Sequence, residues 1–202
     1  MNNKFYNLSQ DRQNQIINGA LKVFAASNYH QASTLDIAKE AGISKGLIFH
    51  YFDNKKELYL HLYKYCVDLV SNELEKDKDS SETDFFEILL HSQRCKCKLM
   101  KEHRYIYDFV VKVYLEKDIE LVEEIAIYSK LFIADNFRQF FERIDTSKFR
   151  EGVDIPLLFQ SLQWCADGFM RSALNSNRSI DEIDEEFAKV LELYKRNFYK
   201  SS

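Results

Sequence analysis

Apolar residues recur along this chain at three- and four-residue intervals, the spacing of helices with one buried face. Near the amino terminus Ile16, Ala20, Val23, Phe24 and Ser27 share one side of a first helix that begins near Ser9. A break at 28–32 is followed by Ser33-Thr34-Leu35-Asp36, in which an acid stands three positions after a hydroxyl residue, as in a capping box. That predicts a short helix to about Ala41. Gly42 suits the positive φ with which a chain leaves a helix. Ser44 can cap a second short helix over 45–52, which Asp53-Asn54 ends. A further helix starts near Lys55, with Leu58, Leu62, Tyr65, Cys66 and Leu69 as its stripe.

Residues 75–81 are nearly all charged or polar and read as a boundary loop. A longer helical region follows, with turns near Lys101-Glu102 and Lys117-Asp118. Ile119, Val122, Ile125, Ala126, Ser129, Phe132, Ile133, Phe137, Phe140 and Ile144 keep one face apolar for about seven turns. A loop is expected over 146–152. Pro156 then sits in the first turn of a helix, where its missing N–H does no harm, and Ile155, Leu158, Phe159, Leu162, Cys165, Phe169 and Ala173 form the stripe. After a turn at 175–177, a last helix carries Ile180, Ile183, Phe187, Val190, Leu191, Tyr194 and Phe198. The pattern predicts an all-α fold of about nine helices: a three-helix, helix-turn-helix domain over 1–54 and a helical domain over 55–202.

Composition agrees. The 202 residues include five glycines and one proline, too few for the tight turns of a sheet protein. A hydrophobic content of 46% argues against wholesale disorder. Apolar runs such as Phe109-Val110-Val111 are soon broken by charge, and residues 1–7 contain no apolar signal-peptide core. A soluble cytoplasmic protein is therefore expected, with its four cysteines reduced. Cys95-x-Cys97, near His91 and His103, invites a metal reading. His91 and Cys95 fall on one helical face, but Cys97 points about 200° away from Cys95. No metal and no cofactor are expected. Nor is catalysis, because Ser161, Cys165 and Ser172 lack a nucleophile elbow or a nearby base, and there is no phosphate-cradling glycine loop.

The net charge of −4 hides an asymmetry. Residues 1–65 hold eight basic and five acidic side chains, whereas the remaining 137 hold twenty and twenty-seven. A cationic head on an anionic body fits a polyanion met by one end only. Within that head, 34–52 form two helices of about two turns joined by Gly42-Ile43-Ser44, the layout of a helix-turn-helix. Helices so short need packing to persist. Leu35, Ile37, Ala38, Ile43, Ile48 and Phe52 supply an inner face, and the small Ala38 and Ala41 allow close approach. The second helix is left to present Lys45, Gly46, Leu47, Phe49, His50 and Tyr51, a mixture of cation, aromatic and hydroxyl groups suited to a phosphate backbone and its groove. The free N–H groups of its first turn add positive potential. Lys55 and Lys56 can hold a flanking phosphate.

The run Thr34-Leu35-Asp36-Ile37-Ala38-Lys39-Glu40-Ala41-Gly42-Ile43-Ser44-Lys45-Gly46-Leu47-Ile48-Phe49-His50-Tyr51-Phe52, followed by Lys55-Lys56-Glu57-Leu58, closely resembles the DNA-binding head of TetR-family (tetracycline-repressor-like) regulators. The resemblance spans residues 10–65; beyond that it rests on helix number and length. It implies an all-helical homodimer that binds a palindromic operator, acts as a repressor, and is released by a small molecule bound to the carboxy-terminal domain. Carried over by position, phosphate contacts fall on Thr34, Ser44, Tyr51 and Lys56, and groove-facing positions on Lys45, Gly46, Leu47, Phe49 and His50. Two positions depart from the family's pattern. Leu47 stands where a small polar residue is common, and Phe49 where a tyrosine is.

The resemblance also gives the body's aromatics a use. Tyr105, Phe109, Tyr128, Phe132, Trp164 and Phe169 become candidates for lining a pocket, which would take a hydrophobic or amphipathic ligand. The last two helices carry a second apolar edge, Phe159, Gln163, Ala166 and Met170 on one, Phe187, Leu191 and Tyr194 on the other. A helix pair apolar over a wide arc needs a further partner, and the same pair from a second subunit supplies it. The competing reading is a helical adaptor that has lost operator binding, with Leu47 and Phe49 on a protein-facing surface.

Overall fold

The computed structural model describes residues 4–76, 81–174, 176 and 178–201, and at 104, 114, 130–137, 171 and 174 the backbone alone. These residues form nine α-helices: α1 Gln10–Ala26, α2 Thr34–Glu40, α3 Lys45–Phe52, α4 Lys55–Lys76, α5 Phe85–Glu102, α6 Arg104–Tyr114, α7 Ile119–Arg143, α8 Ile155–Leu174 and α9 Ile180–Phe198. A 3-10 turn covers Thr146–Lys148. The all-α expectation holds, and no helix among the described residues is long and apolar enough to cross a membrane.

The chain forms two compact units. The first comprises Met1–Asn72 and His103–Ala134, the second Glu73–Glu102 and Asp135–Ser202. In the first, α1 packs on α2 and α6 around Ile16, Ala20, Phe24, Ile37, Ile48, Phe52, Leu58, Leu62 and Phe109. Helix α1 comes so close to the end of α2 that a Cβ on Gly19 would stand 2.5 Å from the Ala41 amide nitrogen. The turn between α2 and α3 uses Gly42 at φ 61°, and Arg12 donates through Nη2 to the Gly42 carbonyl at 3.0 Å. Lys22 and Glu40 add an ion pair across the same helices.

In the second unit, α5 packs on α9 around Phe85, Phe86, Ile144, Phe149, Leu158, Leu162, Phe187 and Leu191. Ser179 and Glu182 form a reciprocal capping box at the start of α9. Buried Asp84 accepts from the backbone N–H groups of Phe86 and Glu87, from Lys148 at 2.9 Å and from the Tyr199 hydroxyl at 3.1 Å. That ties the start of α5 to the residues after α9.

Two expectations about faces need correction. Leu35, assigned to the inner face of α2, stands 63% exposed in the first turn, because Ile37 and Ala38 already fill the contact with α1. The early part of α7 buries Leu121 and half-buries Ile125, while Ile119 and Val122 lie in solvent. The segment has two apolar edges, and the one carrying Leu121 joins the core with Phe109 and Val113. Phe132, Ile133 and Phe137 of the expected stripe lie outside the described side chains, as do residues 77–80, 175 and 177 of the two expected loops.

Candidate nucleic-acid interface

The amino-terminal unit turns one side of α3 inward and leaves the other open. Ile48 and Phe52 are fully buried, four apart on the inner face. Ser44, Lys45, Gly46, Phe49 and His50 are exposed, and Leu47 and Tyr51 are half-buried at the rim. Ser44 caps the helix, its Oγ accepting from the Leu47 N–H at 3.3 Å. The N–H groups of the first turn ahead of Leu47 lack intrahelical acceptors, as in any α-helix, and so face solvent with the positive end of the helix dipole. A Cβ at Gly46 would meet nothing closer than Ser44 Oγ at 3.9 Å, so the space above this glycine is open to an approaching backbone. Lys45 Nζ lies 6.0 Å from the centre of the Phe49 ring.

The inner side of this surface is held by aromatic packing. Phe5, from the segment before α1, is buried against Phe52, with ring centres 4.9 Å apart, and against Tyr51 at 6.2 Å. His61 of α4 completes the cluster 5.2 Å from Phe5. Burial, and secondarily Lys64, push the His61 pKa down to about 4, so its imidazole is neutral near pH 7. Thr34 opens α2, which Ser33 caps by accepting from the N–H groups of Leu35 and Asp36. It is partly exposed on the same amino-terminal unit.

The two lysines at the start of α4 behave differently. Lys55 turns inward, donating to the carbonyls of Tyr29 at 2.8 Å, Ala32 at 3.3 Å and His30 at 3.4 Å. Its Nζ also lies 4.5 Å from the centre of the Tyr29 ring. Burial lowers its pKa. The ammonium is thus already engaged by the chain itself. Lys56 points the other way, with Nζ 2.7 Å from Glu124 Oε1 and 3.8 Å from Glu120 Oε2 on α7. The Glu124 hydrogen bond raises its pKa. The structure therefore groups Ser44, Lys45, Gly46, Leu47, Phe49, His50 and Tyr51 on one helix, with Lys56 nearby in the chain and paired to acids, and Lys55 committed to the loop before α2.

The candidate pocket residues divide between the units. In the first, Phe109 is core, packed on Phe24 and Tyr59, whereas Tyr105 is exposed and Tyr128 donates its hydroxyl to Asp68 at 3.3 Å. In the second, Phe169 packs on Phe187 and Trp164 is 62% exposed. Phe132 lies outside the described side chains. Of the candidate dimer residues, Phe187 and Leu191 are buried in their own unit; Phe159, Ala166, Met170 and Tyr194 are half-buried; Gln163 is exposed. Among the described residues, the large apolar side chains most open on these helices are Leu157 and Trp164 of α8 and Leu193 of α9. His91 Nε2 and Cys95 Sγ are 3.5 Å apart, while Cys97 takes a hydrogen bond from Gln93 instead.

Residues 16–62 match the model of the bacterial regulatory proteins of the tetR family. The fatty acid metabolism regulator protein of Bacillus subtilis (strain 168) is 28% identical over 172 residues, covering 84% of this chain and 87% of that protein. A TetR family transcriptional regulator from Chloroflexus aurantiacus J-10-FL superposes with a TM-score of 0.68 at 18% identity, covering 99% of both chains. The transcriptional regulator FadR from Bacillus subtilis, solved in complex with stearoyl-CoA, superposes with a TM-score of 0.64 at 21% identity, covering 88% of this chain and 96% of that one.

Proposed function

We propose that the chain is a TetR-family transcriptional regulator, a homodimeric repressor released from a palindromic operator by an acylated, amphipathic ligand. The observation that carries this reading is the division of α3, with Ile48 and Phe52 sealed in the core and Ser44, Lys45, Gly46, Phe49 and His50 open to solvent. Such a helix can lie in a major groove with its amino-terminal turn toward phosphates, and Lys45 and His50 toward base edges. Leu47 and Phe49 offer apolar contact, for which a thymine methyl is the natural complement. In this division of labour residues 1–54, joined by Lys56 at the start of the connecting helix α4, meet DNA, and the rest of 55–202 carries the effector and the second copy. The setting is the cytoplasm.

The exposed Leu157, Trp164 and Leu193 support pairing through α8 and α9, since a second copy would remove them from water. Two heads then sit in successive major grooves, about 34–36 Å apart. The effector class is proposed from the relatives: one is named for fatty acid metabolism, and a protein of the same fold was solved with stearoyl-CoA. A ligand that prefers the dimer whose heads do not match the groove spacing lowers DNA affinity by that preference. The test is to select bound duplexes from a random pool and titrate the complex with stearoyl-CoA. Enrichment of a two-fold symmetric site, and its release by the acyl-CoA, is the expected result. A pool that never enriches overturns the operator reading. An enriched complex that ignores the acyl-CoA overturns the effector class.

A further inference from the structure

Lys56 is the one basic side chain of the candidate DNA surface that an acidic partner already holds among the contacts described, and the partner comes from a distant part of the chain. Glu124 Oε1 lies 2.7 Å and Glu120 Oε2 3.8 Å from its Nζ, both on the first two turns of α7. The same segment touches the head again, where His30 Nε2 lies 3.1 Å from Asp118 Oδ2. Around these contacts the chain is dense in acid, with Glu116, Asp118, Glu120, Glu123 and Glu124 within nine positions. The ion pair lies at the surface, Glu120 being largely exposed and Glu124 about half so.

A phosphate that reaches Lys56 meets these carboxylates well inside the screening length of about 8 Å at physiological salt. It cannot share the ammonium with Glu124 without repulsion. A surface ion pair is weak enough to exchange partners, so the two anions compete for one cation. We propose that Glu124, assisted by Glu120, is an affinity-setting residue of the DNA site: it occupies Lys56 as an internal stand-in for a phosphate, and DNA gains that contact only by displacing it. The inference rests on the DNA-binding reading above and deepens it. It also makes the position of α7 matter for DNA binding, because a shift of its first turns changes the competition at Lys56 without touching α3.

The experiment measures the affinity of the full chain for a duplex recovered from the random pool and for an unrelated duplex of equal length, at physiological salt. Glu124→Gln is expected to tighten binding to both by about two- to fivefold per head. Glu120→Gln, at the more distant carboxylate, gives a smaller gain of the same sign. Glu123→Gln removes the same charge from the same helix outside the pair and leaves affinity nearly unchanged. In a Lys56→Ala background, Glu124→Gln gives no gain. An unchanged affinity for Glu124→Gln, an equal gain for Glu123→Gln, or a gain that survives in the Lys56→Ala background overturns the inference while the operator reading stands. A wild-type chain that binds neither duplex removes that reading, and the inference with it.

Discussion

Gly19 faces Ala41 so closely that a Cβ on the glycine would stand 2.5 Å from the Ala41 nitrogen and 2.7 Å from its Cα. Both atoms are backbone, so no side chain can swing aside. Gly19→Ala must push α1 away from the end of α2, at a cost of about 1–3 kcal/mol. The Gly42 turn and the orientation of α3 follow from that contact. The variant should unfold at lower temperature and denaturant concentration and bind DNA more weakly. Gly46→Ala, with open space above it and a better helix former in place of glycine, should keep or raise its thermal midpoint. Equal midpoints for Gly19→Ala and wild type would contradict the packing described.

Lys45 and Lys55 are expected to separate in salt dependence. Lys45 is exposed at the start of α3, and Lys55 is spent on three carbonyls of the loop before α2. Lys45→Ala should weaken binding to any duplex and flatten the slope of log affinity against log salt by about 0.9 per head. Lys55→Met leaves those carbonyls without their donor, which should destabilise the head by about 1–3 kcal/mol. Its DNA affinity falls with stability, but the salt slope stays that of wild type. A flattened slope for Lys55→Met would place its ammonium on phosphate after all.

Tyr59 and Tyr63 make a matched pair. The Tyr59 hydroxyl is buried with no hydrogen-bond partner among the described residues, enclosed by the rings of Phe24, Tyr29 and Phe109. Tyr63 shares a hydrogen bond of 2.6 Å with Ser129. Removing an unsatisfied polar group is neutral or favourable, whereas removing a satisfied one costs about 1 kcal/mol. Chemical denaturation should therefore show Tyr59→Phe at least as stable as wild type and Tyr63→Phe less so. The reverse order would mean that the Tyr59 hydroxyl has a partner.

Asp84 should govern the acid limb of stability. Burial works against its carboxylate, but the Lys148 ammonium, the Glu87 N–H, Lys195 and the Tyr199 hydroxyl outweigh that and hold its pKa below the ordinary value. A carboxylate whose pKa is lower folded than unfolded contributes stability in full above the unfolded value of about 3.9 and loses it as pH falls through the folded value. The gap in thermal midpoint between wild type and Asp84→Asn should thus be constant from neutral pH to about pH 5 and close below about pH 4. A gap that widens with acid would reverse the sign of the shift.

Much of this was legible from local chemistry. Helix α3 begins and ends as its caps dictate, with Ser44 bonded to the Leu47 N–H and Asp53 leaving the helix at φ 56°. Contacts between distant segments were not legible. Nothing near Lys55 tells of carbonyls 23 to 26 residues earlier, and a glycine inside α1 reads as a weak helix former until Ala41 is seen against it. Periodicity also cannot choose between two apolar edges. On α7 it favoured Ile119 and Val122 over Leu121, and on α9 it offered Phe187 and Leu191 as an outer edge although their own unit buries them. Lys56 reads locally as an available cation, and its pairing with Glu124, 68 residues further along, has no local signal.

Trp164 is the chain's single tryptophan, and in the isolated chain it is 62% exposed on the same helix as Leu157. A dimer formed through α8 and α9 would cover it, and an indole moved out of water emits at shorter wavelength. Emission should therefore shift to longer wavelength on dilution, over the concentration range in which sedimentation reports dissociation. Large aromatic side chains at the centre of an interface contribute most to binding, so Trp164→Ala should raise the dimer dissociation constant by about tenfold or more, the equivalent of about 1.4 kcal/mol. The same substitution removes little from the second unit's core, because α8 contributes Leu158 and Leu162, on the neighbouring face, to that core. Monomer stability should accordingly be unchanged. A dimer that persists in Trp164→Ala, with emission insensitive to dilution in the wild type, would put the pairing surface elsewhere on the molecule.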